Sequence, residues 1–329
     1  NTTGANHVAI GFNTLVANTT ADCNTVMGRC AMYTNTTGAK NTAVGVQAQF
    51  STTTGSDNVS MGRNALYTNS TGSNNTALGS TSMFRNETAS NNTAVGFASL
   101  YNNTTGIQNT ALGNQAGKNQ TTANQNIFVG YANGFSTTTG GTNTSVGEQA
   151  FYNNTTGANN VAIGQASLQA NTTGESLVAV GRCALNANTT ANSNVAIGDN
   201  SLKLNTTGTN NVAVGRYVLC SNTTASNNTA LGHSSLYANT TGTGLAAVGF
   251  RSLCSNTTAN NNTAVGLCAL ISNTTGTRNT GVGNKVMKFN TIGVDNTAVG
   301  YNALDGNNEG NYNTGIGSNA LGVNSVGSN

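Results

Sequence analysis

Apolar, small and polar positions recur along this chain every 17 residues, from Asn1 onward. With the first Asn of each unit taken as position one, the pattern is N-T-T-G/A-x-x-N-T/V-A-V-G-x-x-A-L-Y-x, in nineteen full copies. Each unit is too small to bury an apolar face without its neighbours, so the period predicts stacked coils. The expected fold is all-β, a parallel β-solenoid of nineteen 17-residue coils, about 90 Å long at one strand spacing per coil. The pattern predicts one continuous array over 1–329 without a linker, ending in a partial repeat at 324–329.

Positions seven to ten, typically N-T-A-V, have the β-branched content and length of a short strand. Side chains at eight and ten share one face and position nine takes the other. Both faces are apolar or small, which calls for a further layer behind the strand, such as a neighbouring chain. Positions fourteen and fifteen (Ala65-Leu66, Ala184-Leu185, Ala303-Leu304) are predicted to form a return strand that closes the interior. Position sixteen is often aromatic, as at Tyr33, Phe50, Tyr67, Phe84, Tyr101, Phe135, Tyr152 and Tyr237.

Position eleven is Gly in every copy, beginning with Gly11, Gly28, Gly45, Gly62, Gly79 and Gly96. Such constancy implies a positive φ or a close approach of two main chains, and hence a corner of the coil. Position seven is Asn except at His7, Leu177 and Leu245. Stacked at about 4.8 Å, these amides can form a ladder that fixes register. The N-T-T-G segment has the composition of a turn, with Gly suited to a left-handed conformation. The same triplets are acceptor sequons for N-glycosylation, as at Asn1, Asn18, Asn35, Asn103, Asn154 and Asn273, so turn residues and a row of sugars are both open readings.

Position four is Gly in every odd-numbered copy and Ala only in even-numbered ones, at Ala21, Ala89, Ala123, Ala191, Ala225 and Ala259. This leaves open a coil of 34 residues, which would stack Cys220 on Cys254 within disulfide range; a 17-residue coil holds them about 9.6 Å apart. The longer coil would also stack Arg29 on Arg63 and Arg182 on Arg216, like charges that repel, and the shorter coil is adopted.

Charged residues are only 6% of the chain and the net charge is +3, so polarity comes from Asn, Thr and Ser. The basic residues are scattered singly, without the stripe that phosphate binding needs, and no nucleic-acid partner is expected. No apolar run reaches the eighteen residues of a membrane span, and no membrane insertion of this segment is expected. The chain opens inside a repeat, which suggests a mature or excised segment with any export signal, anchor or cap lying elsewhere.

Six cysteines are too few for a disulfide scaffold. His7 and His233 fall at different phases, the five Asp are irregularly placed, and no phosphate-loop motif follows the glycines. No catalytic constellation, metal site or cofactor is expected. Position twelve is the most variable and should project outward. Phe12, Arg29, Arg63, Phe97, Tyr131, Arg182, Arg216, Phe250 and Tyr301 there form a candidate contact strip, since aromatic and Arg side chains favour binding surfaces; an unconstrained solvent position is the plainer alternative.

The block Asn41-Thr42-Ala43-Val44-Gly45 followed by Ala48, and Asn194-Val195-Ala196-Ile197-Gly198 followed by Ser201, resembles the head repeats of trimeric autotransporter adhesins of the YadA type. It is also similar to the repeat regions of phage and viral tail fibres that end in a self-cleaving chaperone domain. The resemblance covers the whole chain and implies a left-handed β-roll, three chains around a common axis, and attachment at a cell or virion surface to a glycan or protein receptor. The unit departs from those heads in length, the N-T-T-G loop being extra. The resulting expectation is an extracellular adhesive fibre, with an ice-binding solenoid and an open homopolymeric filament as rivals.

Overall fold

The computed structural model describes residues 1–322, and the partial repeat at 324–329 lies outside them. Nineteen parallel three-residue strands form, from β1 (Val8–Ile10) and β2 (Thr25–Met27) to β19 (Thr314–Ile316), and the described residues contain no helix. Contacts gather the chain into two compact units, Asn1–Gln165 and Ala166–Asn329. The first holds β1 to β10 (Val161–Ile163), the second β11 (Val178–Val180) to β19.

Within each unit the pairing shifts by one repeat: Val8 lies beside Thr25 in the first, Val178 beside Val195 in the second. One coil therefore holds 17 residues. Cys220 and Cys254 belong to alternate coils, and all six cysteines are free thiols. Arg182 and Arg216 are separated by Asp199, which pairs with both at 3.1 and 3.4 Å.

The side chain at position nine points inward and is fully buried, as at Val26, Ala43 and Ala196. Backbone bonding between coils continues past the strands. Thr25 N donates forward to Asn41 O at 2.9 Å, while Gly28 N donates back to Ile10 O at 2.8 Å. In the turns, Cys30 N reaches Phe12 O at 2.9 Å, Met32 N reaches Ala48 O at 3.0 Å, and Thr36 N reaches Thr53 O at 2.9 Å. Segments outside the strands thus find main-chain partners in both neighbouring coils, which is what makes such short strands sufficient.

The predicted return strand does not form. Positions thirteen and fifteen are both left-handed, with φ of 57° and 54° at Asn64 and Leu66, and the segment winds as a tight turn. A left-handed backbone costs a Leu about 1–2 kcal/mol. Full burial of its side chain returns roughly 1.5–3 kcal/mol, so the conformation is held by the core it fills. The third left-handed position is six, where Asn6, Asp57 and Asn74 have φ of 58–60°. This corrects the expectation for the N-T-T-G turn: Gly at position four does not have a positive φ, and the polar residue two places later takes that role.

Position eleven has both properties inferred for it. Gly11, Gly28, Gly45, Gly62, Gly79 and Gly96 have φ between 127° and 140°, and a Cβ on Gly45 would lie 2.5 Å from the carbonyl oxygen of Gly62.

Two amide ladders run inside the coils. At position seven, Asn24 Oδ1 accepts from Asn41 N at 2.8 Å while Asn24 Nδ2 donates to Gly38 O at 2.9 Å. The sequence pattern did not announce the second, at position one: Asn35 Nδ2 donates to Asn18 Oδ1 at 3.0 Å and to Gly38 O at 3.1 Å. Core variation is compensated locally. Phe128 replaces the usual Ala at position nine, and the adjoining position-fifteen residues are Gly117 and Gly134 where Leu is usual. A Cβ on Gly134 would lie 2.5 Å from the Phe128 ring. Buried Gln49 at position fifteen is likewise matched by Ser60, its Nε2 donating to Ser60 Oγ at 3.1 Å.

Candidate functional site

The second amide ladder decides the fate of the sequons. Asn18, Asn35, Asn103, Asn154 and Asn273 are buried to 2% exposure or less, and only Asn1 is exposed. The nitrogen that would carry a sugar is committed, as in Asn103 Nδ2 donating to Asn86 Oδ1 at 3.2 Å and Gly106 O at 2.9 Å. A row of N-linked glycans on these coils is therefore incompatible with the folded chain, because each would replace a buried donor hydrogen with a sugar for which the adjoining coil leaves no room. The triplets are structural turn residues. The following Thr is also engaged, Thr19 Oγ1 donating to Thr36 O at 2.9 Å.

The nine candidate contact residues at position twelve are all exposed. Phe12, Arg29, Arg63, Phe97 and Tyr131 lie along the first unit, and Arg182, Arg216, Phe250 and Tyr301 along the second. Beside them runs an apolar file at position ten. Ile10, Met27, Met61, Leu112 and Ile163 are exposed in the first unit, Ile197, Leu231, Val265, Val282 and Val299 in the second. The outer sheet face that these side chains share with position eight is open in the single chain.

Electrostatics along the strip is local. Around Asp199, burial raises the carboxyl pKa, but the hydrogen bond and charge of Arg182, with Asn200 and Arg216 assisting, outweigh it and hold the group below the usual carboxylate range. At position six, the Arg278 guanidinium forms two 2.7 Å bonds to Asp295 and lowers its pKa. These are the ion pairs among the described residues, and all lie in the second unit.

Position sixteen builds a half-buried column in the first unit. Tyr33, Phe50, Tyr67, Phe84 and Tyr101 stack in succession with centroids 5.0–5.4 Å apart and planes within 7° of parallel. Phe135 and Tyr152 repeat the contact at 5.1 Å, and Lys118 Nζ lies 5.3 Å from the Phe135 centroid.

In the second unit the same file reads Cys220, Tyr237, Cys254, and the column is interrupted. Tyr217, a bulky residue at position thirteen, meets Tyr237 edge-on at 6.4 Å and His233 at 6.2 Å. His233 in turn stacks on Phe250 at 5.5 Å, with its Nδ1 3.0 Å from Ser234 Oγ. A cavity of about 370 Å³ opens here, lined by His233, Ser234, Tyr237, Phe250, Arg251 and Cys254. Phe250 belongs to the predicted strip. Tyr217 and Arg251, aromatic and basic at a position otherwise filled mostly by small or amide side chains, are the signal that the pattern of single repeats concealed.

His7 caps the position-seven ladder, its Nδ1 3.3 Å from Asn24 N, and shares no cluster with His233. Among the described residues no group of three His, Cys, Asp or Glu side chains is placed to hold a metal ion, and no helix is long and apolar enough to cross a membrane. No protein-family model matches the chain, and no curated protein matches it.

Proposed function

We propose that this chain is the shaft or head of an extracellular adhesive fibre, assembled as a homotrimer and attaching at a cell or virion surface through its repeated exposed strip. The observation that carries the reading is the apolar file at position ten, with Ile10 and Met61 each 53% exposed. An apolar patch continued from coil to coil marks an interaction surface in a soluble protein. Parallel copies of the chain would cover it with the same period. The exposed Arg and aromatic side chains at position twelve then supply many weak, identical contacts, whose sum is strong only when the strip is presented repeatedly.

Sedimentation equilibrium on the purified chain should give a mass three times the monomer's, and electron micrographs should show short rods of constant length. A monomer at all concentrations removes the trimer; rods that lengthen with concentration indicate the open filament. Immobilised protein should retain host cells or their surface extracts, and loss of retention when several position-twelve aromatics are changed to Ser locates the contact.

The ice-binding rival draws on the exposed Thr at position three, as in Thr20, Thr37 and Thr54. Its weakness is that neighbouring position-two hydroxyls are spent on backbone carbonyls. Thermal hysteresis at millimolar protein would overturn the adhesive reading in its favour.

A further inference from the structure

We infer that the cavity around Tyr237 binds one pyranose ring of a carboxylated saccharide, such as a sialic or uronic acid; the inference deepens the attachment reading and rests on it for its biological sense. Shape comes first. Along the first unit every ring from Tyr33 to Phe84 has the next coil's ring over its face at 5.0–5.4 Å. Tyr237 has Cys254 in the equivalent place and Cys220 on the other side, so its ring is left without a stacked aromatic partner at position sixteen and is 43% exposed. The cavity floor is therefore a missing rung, one ring wide, beside an aromatic surface. Its volume of about 370 Å³ is at the small end for ligand pockets.

The lining selects the class of ring. A pyranose offers a C–H face to an aromatic ring and hydroxyls around its rim. Tyr237 and Phe250 supply the apolar contact, and Ser234, His233 and the Tyr237 hydroxyl supply hydrogen-bonding groups at the edge. Ser234 Oγ and His233 Nδ1 lie 3.0 Å apart, and a sugar hydroxyl can join that pair where a flat apolar ligand cannot. Charge adds the carboxylate. Arg182, Arg216 and Arg278 are each paired with an Asp, whereas Arg29, Arg63, Arg85 and Arg251 have no carboxylate partner among the described residues, and of these four Arg251 lines the cavity. A guanidinium fork without a carboxylate partner, lining the same cavity as Tyr237 and Phe250, matches a planar carboxylate. Arg216 does not compete for that role, since it lies over Tyr217 at 4.6 Å and contacts Asp199.

The test uses the whole chain and free sugars. N-acetylneuraminic acid, glucuronic acid and methyl glucoside are titrated by saturation-transfer NMR. The acidic sugars should bind and methyl glucoside should bind more weakly. Cys254→Phe would restore the missing rung and should abolish binding while circular dichroism stays unchanged. Arg251→Gln should weaken the acidic sugars about tenfold or more, the loss of one charge-assisted contact, and leave methyl glucoside unaffected. No binding of either acid, or binding untouched by Cys254→Phe, would overturn the assignment. The attachment reading fails differently: sugar binding intact with no retention of cells sinks the adhesive role and leaves the cavity, whereas retention without sugar binding sinks the cavity alone.

Discussion

The two units share one coil and hold it in register by different means. In the second, the position-one amide ladder is unbroken from Asn171 to Asn307, eight successive side-chain bonds of 2.8–3.3 Å. In the first, Thr52, Gln120 and Thr137 interrupt the Asn series. The Thr52 and Thr137 hydroxyls and Asn35 Oδ1 are buried without a hydrogen-bond partner. Both Thr substitutions fall where rings stack on the outside of the same coils: Phe50 on Tyr67 beside the first, Phe135 on Tyr152 beside the second. Ring pairs thus tie the coils at both gaps, as they also do beside the intact rungs from Asn35 to Asn18 and from Asn86 to Asn69. An unsatisfied buried polar group costs about 1–3 kcal/mol. A stacked aromatic pair contributes roughly 0.5–1.5 kcal/mol beyond its buried area, an offset of similar order.

The largest test of this difference is in the core of the first unit. Phe128→Ala removes the ring that fills the space left by Gly117 and Gly134, and should cost about 3–5 kcal/mol, the range for emptied aromatic sites. Because coils stack as a linear array, the loss should appear as faster amide exchange in peptides spanning 110–150, with coils remote from the site unaffected. Asn222→Ala attacks the second unit's ladder. It strips partners from Asn205 Oδ1, Asn239 Nδ2 and Ala225 O, and should cost about 2–4 kcal/mol read by thermal melting. Thr52→Asn should run the other way, stabilising the first unit by ~1 kcal/mol as the new amide reaches Asn35 Oδ1. No gain would mean that the aromatic column already sets the register there.

How much of this could be read from residue patterns depends on whether the pattern carries geometry. Gly at position eleven could be read as a corner because only Gly tolerates both its φ and its close neighbour, and Asn at position seven because a repeated amide is the signature of a ladder. Leu at position fifteen carries no such mark: an apolar residue after Ala, facing a first strand across a small coil, reads as a return strand, and only the packed interior holds it left-handed. The position-one Asn was obscured by its own neighbours, since N-T-T is both a sequon and a turn, and nothing local distinguishes an Asn facing inward from one facing solvent. The cavity at Tyr237 was hidden for a related reason. It is made by what Cys254 does not fill beside Tyr237, a property of two consecutive coils that no single repeat displays.

The smallest expected effect concerns charge, and it too separates the units, because the ion pairs among the described residues all lie in the second. The Arg278 hydrogen bond lowers the Asp295 pKa against a weaker opposing effect of burial. A carboxylate whose folded pKa lies below its unfolded value stabilises the fold fully above the unfolded pKa, near 3.9, and loses that contribution as the pH falls through the folded value. Acidification below about pH 4 should therefore loosen the coils around Asp295 before those of the first unit that have no ion pair, as a modest rise in amide exchange at 278–296. The pair is exposed, so the change should be slight and should shrink further in high salt. Arg278→Gln separates this from general acid sensitivity: an NMR titration should show the Asp295 carboxyl returning to the ordinary range, and the acid-dependent rise at 278–296 should vanish. If that rise persists without the guanidinium, the ion pair is not what distinguishes these coils, and the unbroken amide ladder alone sets the second unit apart.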